Sequence, residues 1–449
     1  MFSEMTIIKI KKIKIQNLRN VRHGEIILAV NFETFFKPNV VGLYGQNGSG
    51  KTTIVDAFGL LKALISGWIA EIKLPSQEKK LIMAGEDMAS IEFEFLVENQ
   101  FGTFFLNYYV ELQEDQNRLY TTVERLAYRE NEKGKRSKIL INVTEEDIQL
   151  RKANLSDMNE KTRIQLLVTH QLAKKQYMSF IFHKDLKPLL QDRLSELEMQ
   201  LIHNLAIDFN RDLHVVNNQN IAPLYEERSM PFSIHLEKTR GSIPYNLKGP
   251  ALLPEDAFYV LCEVIEQSNQ VLSAIIPGLS IKINVLTKQT MDNGEKGIRF
   301  EFLSQRGERE LPLRTESEGI LKIISVLSVL IAVYNNPNAC VVIDELDSGV
   351  FEYLLGELLT VIDEDGKGQL IFTSHNLRVL EVLAIKNLWF TTTNEDRRYV
   401  QLKGIKEVNN ARDVYLRAIQ LGGQDEEIYK ETKIFKIKRA FRKAGVQHD

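Results

Sequence analysis

Gly42-Leu-Tyr-Gly-Gln-Asn-Gly-Ser-Gly-Lys-Thr-Thr53 is the stretch that decides the fold. From Gly45 to Thr52 it keeps the spacing G-x-x-x-x-G-K-[ST], which asks a backbone to wrap closely around a polyphosphate. Glycine permits that approach at several points, and successive N–H groups form a nest for an anion. The helix that follows adds its positive N-terminal end. The spacing assigns phosphate binding to Gly45, Asn47, Gly48, Ser49, Gly50, Lys51, Thr52 and Thr53. Lys51 is expected to reach the β- and γ-phosphates, and the Thr52 hydroxyl to face Mg²⁺. The flanks agree, because Val40–Tyr44 reads as a buried strand and Thr53–Lys62 as a helix. A chance glycine-rich turn would not explain both.

A second piece lies far along the chain. Cys340-Val-Val-Ile-Asp344-Glu345 is an apolar strand ending in two carboxylates. Asp344 at the strand end is placed to hold Mg²⁺, directly or through water, and Glu345 to polarise an attacking water as general base. The pair alone could be solvated acids at a strand end. Joined to the glycine loop, and followed by Leu346-Asp347-Ser348-Gly349, it becomes specific. Further on, Gln369–Asn376 reads as a buried strand that brings His375 to the lip of the same sheet, where α/β proteins bind ligands. There His375 is expected to sense the γ-phosphate. Before the long apolar helix, Arg314–Ile320 sets Ser317 and Gly319 at a helix start, where a hydroxyl and free N–H groups suit an anion. Simple N-capping by Ser317 would use the same atoms.

Glycine loop, Ser-x-Gly, apolar-Asp-Glu, Leu-Asp-Ser-Gly and histidine, in that order, resemble the ABC-type heads of the SMC and RecF families. They are closer still to AAA-family, RecF-like ATPases of bacterial abortive-infection and anti-phage systems, including the ATPase half of OLD-type proteins. Gly45–Thr52, Glu316–Gly319, Thr373–Asn376 and, weakly, Thr121–Leu126 carry the likeness, over about half the chain. It implies an ATP hydrolase using ATP and Mg²⁺. Two heads would sandwich two ATPs, with each glycine loop facing the other chain's Ser317 and Asp347 near the seam. Three departures stand out. No heptads announce long arms, no room follows His375 for a Toprim nuclease, and the Q-loop glutamine is open between Gln77 and Gln100.

The remaining sequence sets bounds. With 449 residues, 44% hydrophobic content and only 11 prolines, the chain reads as globular. A net charge of −3 rules out a uniformly basic nucleic-acid coat. Cys262 and Cys340 imply no disulfide framework. No leader peptide is read at the N-terminus and no run reaches the length of a membrane span, so a cytoplasmic protein without membrane contact is expected. The fold class is α/β, an ABC-type head with an antiparallel meander and an inserted helical lobe. Residues 1–145 would carry the loop and meander, 146–280 the lobe, 281–403 the second half of the head, and 404–449 a polar helical tail. Met5–Gln16 reads as an edge strand.

No effector chemistry is read in the chain. Arg163 and His170 keep a spacing seen in some HEPN ribonucleases, but the run between them is apolar and reads as a buried helix. A basic stretch from Lys430 to Lys443, around Phe435 and Phe441, suits a phosphate backbone or an acidic partner, but reads first as a solvated helix face with an apolar underside. The expected function is therefore an ATP-dependent sensor or regulator in an anti-phage system. It would act as a homodimer or higher homo-oligomer with a separately encoded nuclease or toxin. The alternative is a RecF- or SMC-like repair ATPase that clamps DNA when ATP binds.

Overall fold

The computed structural model describes residues 6–28, 30–69, 74, 80–151, 153–217, 229–235, 240–246, 249–402, 411–421, 424–429 and 434–444. Its centre is a six-stranded sheet. Strands β9 (Leu213–Val216), β16 (Cys340–Ile343), β17 (Gln369–Ser374), β3 (Asn39–Tyr44) and β18 (Leu388–Thr391) lie parallel in that order, and β19 (Tyr399–Val400) closes one edge antiparallel. Every residue of β3, β16 and β17 is buried, as central strands covered on both faces require. The helix α1 (Lys51–Ile65) leaves β3 through the glycine loop.

Beside this core stands the antiparallel meander. Its order is β2 (Val21–Ile27), β1 (Ile7–Leu18), β4 (Ala89–Asn99), β5 (Gly102–Asp115), β6 (Arg118–Glu130), β7 (Lys138–Val143) and β8 (Ile148–Leu150). β1 is interior rather than an edge, since it pairs with both β2 and β4. The reason lies in its burial: Ile7, Ile8, Lys9 and Ile10 are all enclosed, and a bulge falls between Ile10 and Lys12. Side chains from the central sheet meet the backbone of β1. The Gln369 amide accepts from the Ile10 N–H at 2.7 Å and donates to the Ile10 carbonyl at 2.8 Å, while Asn338 Oδ1 accepts from the Ile8 N–H. Lys9 donates to the carbonyls of Lys37 and Lys367.

The segment 146–280 is not a purely helical lobe. It holds α2 (Glu160–Gln176), α3 (Leu186–Gln191) and α4 (Glu196–His203), then returns to the head as β9, parallel to β16. The short apolar run Leu213–Val216 is long enough for an edge strand and too short to be read as one between helical patterns. A hairpin follows, β10 (Ser229–His235) with β11 (Arg240–Asn246). α5 (Glu255–Ile275) ends before the expected boundary at 280 but packs across it. It shares a core with β13 (Leu279–Thr290), β14 (Lys296–Arg306) and α6 (Glu318–Asn335) through Phe258, Leu261, Phe300, Phe302 and Ile324. β12 (Ala251–Pro254) and β15 (Arg309–Pro312) complete that small antiparallel sheet.

α6 is long and apolar enough to cross a membrane by composition, against the sequence expectation. Every residue from Leu321 to Leu330 is nevertheless buried within the protein, as in a core helix. Of the tail, α7 (Ala411–Leu421) belongs to the head core. Tyr415 packs on Tyr44 and Phe390 with ring centroids 5.0 and 5.2 Å apart, bracing the strand that leads into the glycine loop. α8 (Ile434–Ala444) is exposed along its whole length, Phe435 and Phe441 as well as Lys436 and Arg442, so its apolar side covers nothing among the described residues. Lys430 and Lys433 lie outside the described residues.

Candidate nucleotide site

The glycine loop runs from Gly45 to Gly50 between β3 and α1. A Cβ at Gly45 would lie 1.8 Å from Thr391 Oγ1, so β18 crowds the loop where it starts. Gly50 opens α1 in the left-handed region at φ 95 and brings no side-chain cap, leaving the positive helix end facing the loop. Lys51 is buried, and its ammonium donates to the carbonyls of Gly45 (2.9 Å) and Gln46 (3.1 Å), folded back over the loop it serves. Burial pushes it down to about 8, with the charges of Asp344, Glu345 and Asp347 opposing. Asn47 and Gly48 stand exposed at the tip.

Two candidate residues turn their hydroxyls elsewhere. Thr53 Oγ1 donates to Asn20 Oδ1 at 3.2 Å, and Ser49 Oγ donates to the Gln46 carbonyl and meets Thr391 Oγ1. Their side chains brace the loop, and their backbone N–H groups donate within it too, Ser49 to the Gln46 carbonyl at 3.3 Å and Thr53 to the Gly50 carbonyl at 3.2 Å. The brace extends to residues the sequence did not single out. Asn20, in the turn between β1 and β2, also donates to the Gly48 carbonyl. Arg398 donates to the Asn20 carbonyl at 2.6 Å, and Tyr399 to the Gly50 carbonyl at 2.7 Å. The Arg398 and Tyr399 contacts join residues that lie 378 and 349 positions apart in sequence, and no local pattern announces them.

The second half of the head converges on the same place. Thr52 Oγ1 donates to Asp344 Oδ1 at 3.4 Å, joining the loop to the end of β16. Thr373 Oγ1 donates to the same oxygen at 2.7 Å. Asp344 is buried, and desolvation raises its carboxyl, with Glu345 adding to the rise and Thr373 opposing it. Glu345 adopts a left-handed backbone at φ 46, which turns the chain sharply after the strand. The Asp347 carboxylate accepts from the His375 N–H at 3.0 Å, tying the turn after β16 to the end of β17. The Tyr44 hydroxyl donates to the His375 carbonyl, so the strand before the loop holds the same turn. Burial lowers the His375 imidazole, and the Lys51 charge lowers it further against the three carboxylates.

Ser317 is the N-cap of α6, accepting from the Ile320 N–H at 3.4 Å, and it is exposed. Gly319 lies against Gly349 in the turn after β16, where a Cβ would come within 2.1 Å of the Gly349 carbonyl oxygen. Lys322, one turn further along α6, is buried and donates to the Asp344 carbonyl at 3.4 Å. Of the two glutamines left open, Gln100 sits in the exposed turn between β4 and β5, and Gln77 lies outside the described residues.

The donor set fits a magnesium nucleotide. Hard oxygens of Thr52 and Asp344 meet across the cleft, and a buried cation stands beside a loop with its N–H groups at a helix start. Thr52 and Asp344 would hold the Mg²⁺, which neutralises phosphate charge when bound, and Lys51 would turn from the loop carbonyls to the phosphates.

No curated protein matches the chain. Among solved structures it is similar to the SMC head domain from Thermotoga maritima, at 15% identity and a TM-score of 0.38, covering 88% of this chain and 100% of that one. It is also similar to an Smc head with an extended coiled coil from Pyrococcus furiosus, bound to the C-terminal domain of ScpA. There identity is 13% and the TM-score 0.40, covering 92% and 99% of the two chains. An SmcHead bound to the C-winged helix domain of ScpA matches at 13% identity and a TM-score of 0.41, covering 88% and 97%. The family model described as "AAA domain, putative AbiEii toxin, Type IV TA system" matches residues 40–381, from β3 past the histidine turn, and the chain belongs to that family.

Proposed function

We propose that the chain binds and hydrolyses Mg-ATP, forms ATP-sandwich dimers, and acts as sensor or regulator in a bacterial anti-phage system whose effector is a separate protein. The observation that carries the nucleotide reading is the meeting of Thr52 and Asp344 at 3.4 Å, which joins loop and acidic strand into one site beside Lys51. In this reading Lys51 neutralises charge on the phosphates, Glu345 takes a proton from the attacking water, and His375 reports closure. Two features support the dimer. Ser317 stands exposed at the start of α6, and Gly319 rests on the turn that carries Asp347. A second head would bring its own Ser317 to this loop.

The family description favours a conflict system over DNA repair. The mass of Glu345→Gln protein with Mg-ATP, measured with and without duplex DNA, tests the reading. A nucleotide-dependent dimer or larger assembly indifferent to DNA supports it. Assembly that requires DNA, with strong salt dependence, moves the function to a DNA clamp. A monomer under all conditions removes the sandwich.

A further inference from the structure

We infer that Thr373 and Lys322 are positioning residues that clamp the peptide joining Asp344 to Glu345, and that Lys322 makes this clamp answer to the helix behind Ser317. The inference deepens the proposed function and rests on it.

The geometry is specific to one peptide unit. The Glu345 N–H donates to Thr373 Oγ1 at 2.7 Å, and the Asp344 carbonyl accepts from Lys322 Nζ at 3.4 Å. Both polar groups of that peptide are therefore held by side chains, from two elements on different sides of the strand end. Thr373 uses a single hydroxyl twice, because the same oxygen donates to Asp344 Oδ1 at 2.7 Å. One atom thus sets the direction of the carboxylate and the tilt of the next peptide. Glu345 needs such support, since a non-glycine residue at φ 46 occupies a sparsely allowed region. Thr373 is 1% exposed, so no water competes for its hydroxyl.

Lys322 adds a connection that Thr373 cannot. It is carried by α6, whose first residues are Ser317 at the cap and Gly319 against Gly349. Burial lowers its ammonium, and the charges of Asp344, Glu345 and Asp347 oppose that shift only in part. A rigid helix spans the five residues from Ser317 to Lys322 in about 7.5 Å of rise. Displacement of the helix start therefore reaches Lys322 without attenuation. Engagement of a phosphate at Ser317 would shift the peptide that presents Glu345, coupling one nucleotide site to the other.

The test uses the full chain with Thr373→Val, Thr373→Ser, Lys322→Met and Lys322→Arg. Thermal melting first establishes that each variant folds. The first readout is the Mg²⁺ concentration for half-maximal binding of a fluorescent ATP analogue, which needs no turnover. Thr373→Val is expected to raise it at least about threefold by releasing the Asp344 carboxylate, and Thr373→Ser to leave it unchanged. The second readout is steady-state hydrolysis. Lys322→Met is expected to lower kcat at least about tenfold with KM within about threefold, and Lys322→Arg to recover part of the loss. Thr373→Val with the wild-type Mg²⁺ dependence overturns the clamp, as does Lys322→Met with the wild-type kcat. Equal loss of affinity and stability in both Lys322 variants overturns its positioning role. Absence of turnover in the wild type refutes the proposed hydrolysis alone, because the Mg²⁺ readout still decides the clamp.

Discussion

Gly319 and Gly349 touch backbone to backbone, so closely that a Cβ on Gly319 would lie 2.1 Å from the Gly349 carbonyl oxygen. The start of α6 and the turn after the acidic strand therefore cannot move independently. Gly349 also holds φ 74, which glycine adopts without strain. Gly319→Ala must push the two segments apart, at a cost of about 1–3 kcal/mol. The expected outcome is a lower melting temperature and lost ATP turnover, with ATP binding to the single chain retained. Unchanged turnover would show that the contact is incidental.

Lys51 is the buried cation of the glycine loop, and its two carbonyl partners show where its ammonium reaches before nucleotide arrives. Hydrogen bonds from a charged donor contribute about 1.5–3 kcal/mol. Lys51→Ala is thus expected to weaken ATP binding by roughly tenfold to a hundredfold in equilibrium titration. Melting without nucleotide should change little by comparison. An ATP affinity equal to the wild type would remove Lys51 from the site.

Gly45 tests the loop from its other end. A Cβ there would meet Thr391 Oγ1 at 1.8 Å, and its φ of 155 is one that other residues rarely adopt. Gly45→Ala should lower the melting temperature, and truncating Thr391 to alanine in the same chain should restore part of the loss. A double variant no more stable than Gly45→Ala alone would place the strain in the backbone rather than in the contact.

Lys9 gives a pH dependence with a definite sign. It is fully buried, and desolvation pushes its ammonium down to about 8 from an ordinary 10.5, with Cys340 opposing. Between those values the unfolded chain binds more protons at this residue than the folded one, so stability rises with pH across the window. Below about 8 the residue is charged in both states and its contribution is constant. Wild type should therefore gain on Lys9→Met from pH 8 upward, by at most about 3 kcal/mol at 1.4 kcal/mol per unit. Denaturant titrations between pH 7.5 and 9.5 check it. A stability difference independent of pH would mean that Lys9 titrates normally.

Much of the head was legible because its chemistry is local. Gly45–Thr52, Asp344–Glu345 and Thr373–His375 each combine a buried strand with polar residues at its end, and a few consecutive residues suffice to mark both. The fold class followed from the same strands, together with the alternation of Ala89–Val97. What escaped was set by pairing across the chain. β1 looked like an edge because its lysines suggested solvent, yet Lys9 is enclosed between the carbonyls of Lys37 and Lys367. β9 escaped because Leu213–Val216 is brief and follows helices, and only its partner β16 makes it a strand. Asn20 and Lys322 bear on the site through contacts with Gly48 and Asp344 and sit within no motif, while Thr373 lies within the histidine motif, which gives no sign of its contacts with Asp344 and Glu345. Tyr415 shows the same limit, since a tail that reads as polar supplies the ring that packs on Tyr44.

In the proposed function Lys51, Thr52, Asp344 and Glu345 form one Mg-ATP site with Glu345 as base. Single-turnover hydrolysis and equilibrium ATP binding, measured on wild type and Glu345→Gln, test it most directly. Glu345→Gln is expected to bind ATP within about threefold of wild type while hydrolysing it at least about a hundredfold more slowly. Hydrolysis by Glu345→Gln at the wild-type rate would contradict it.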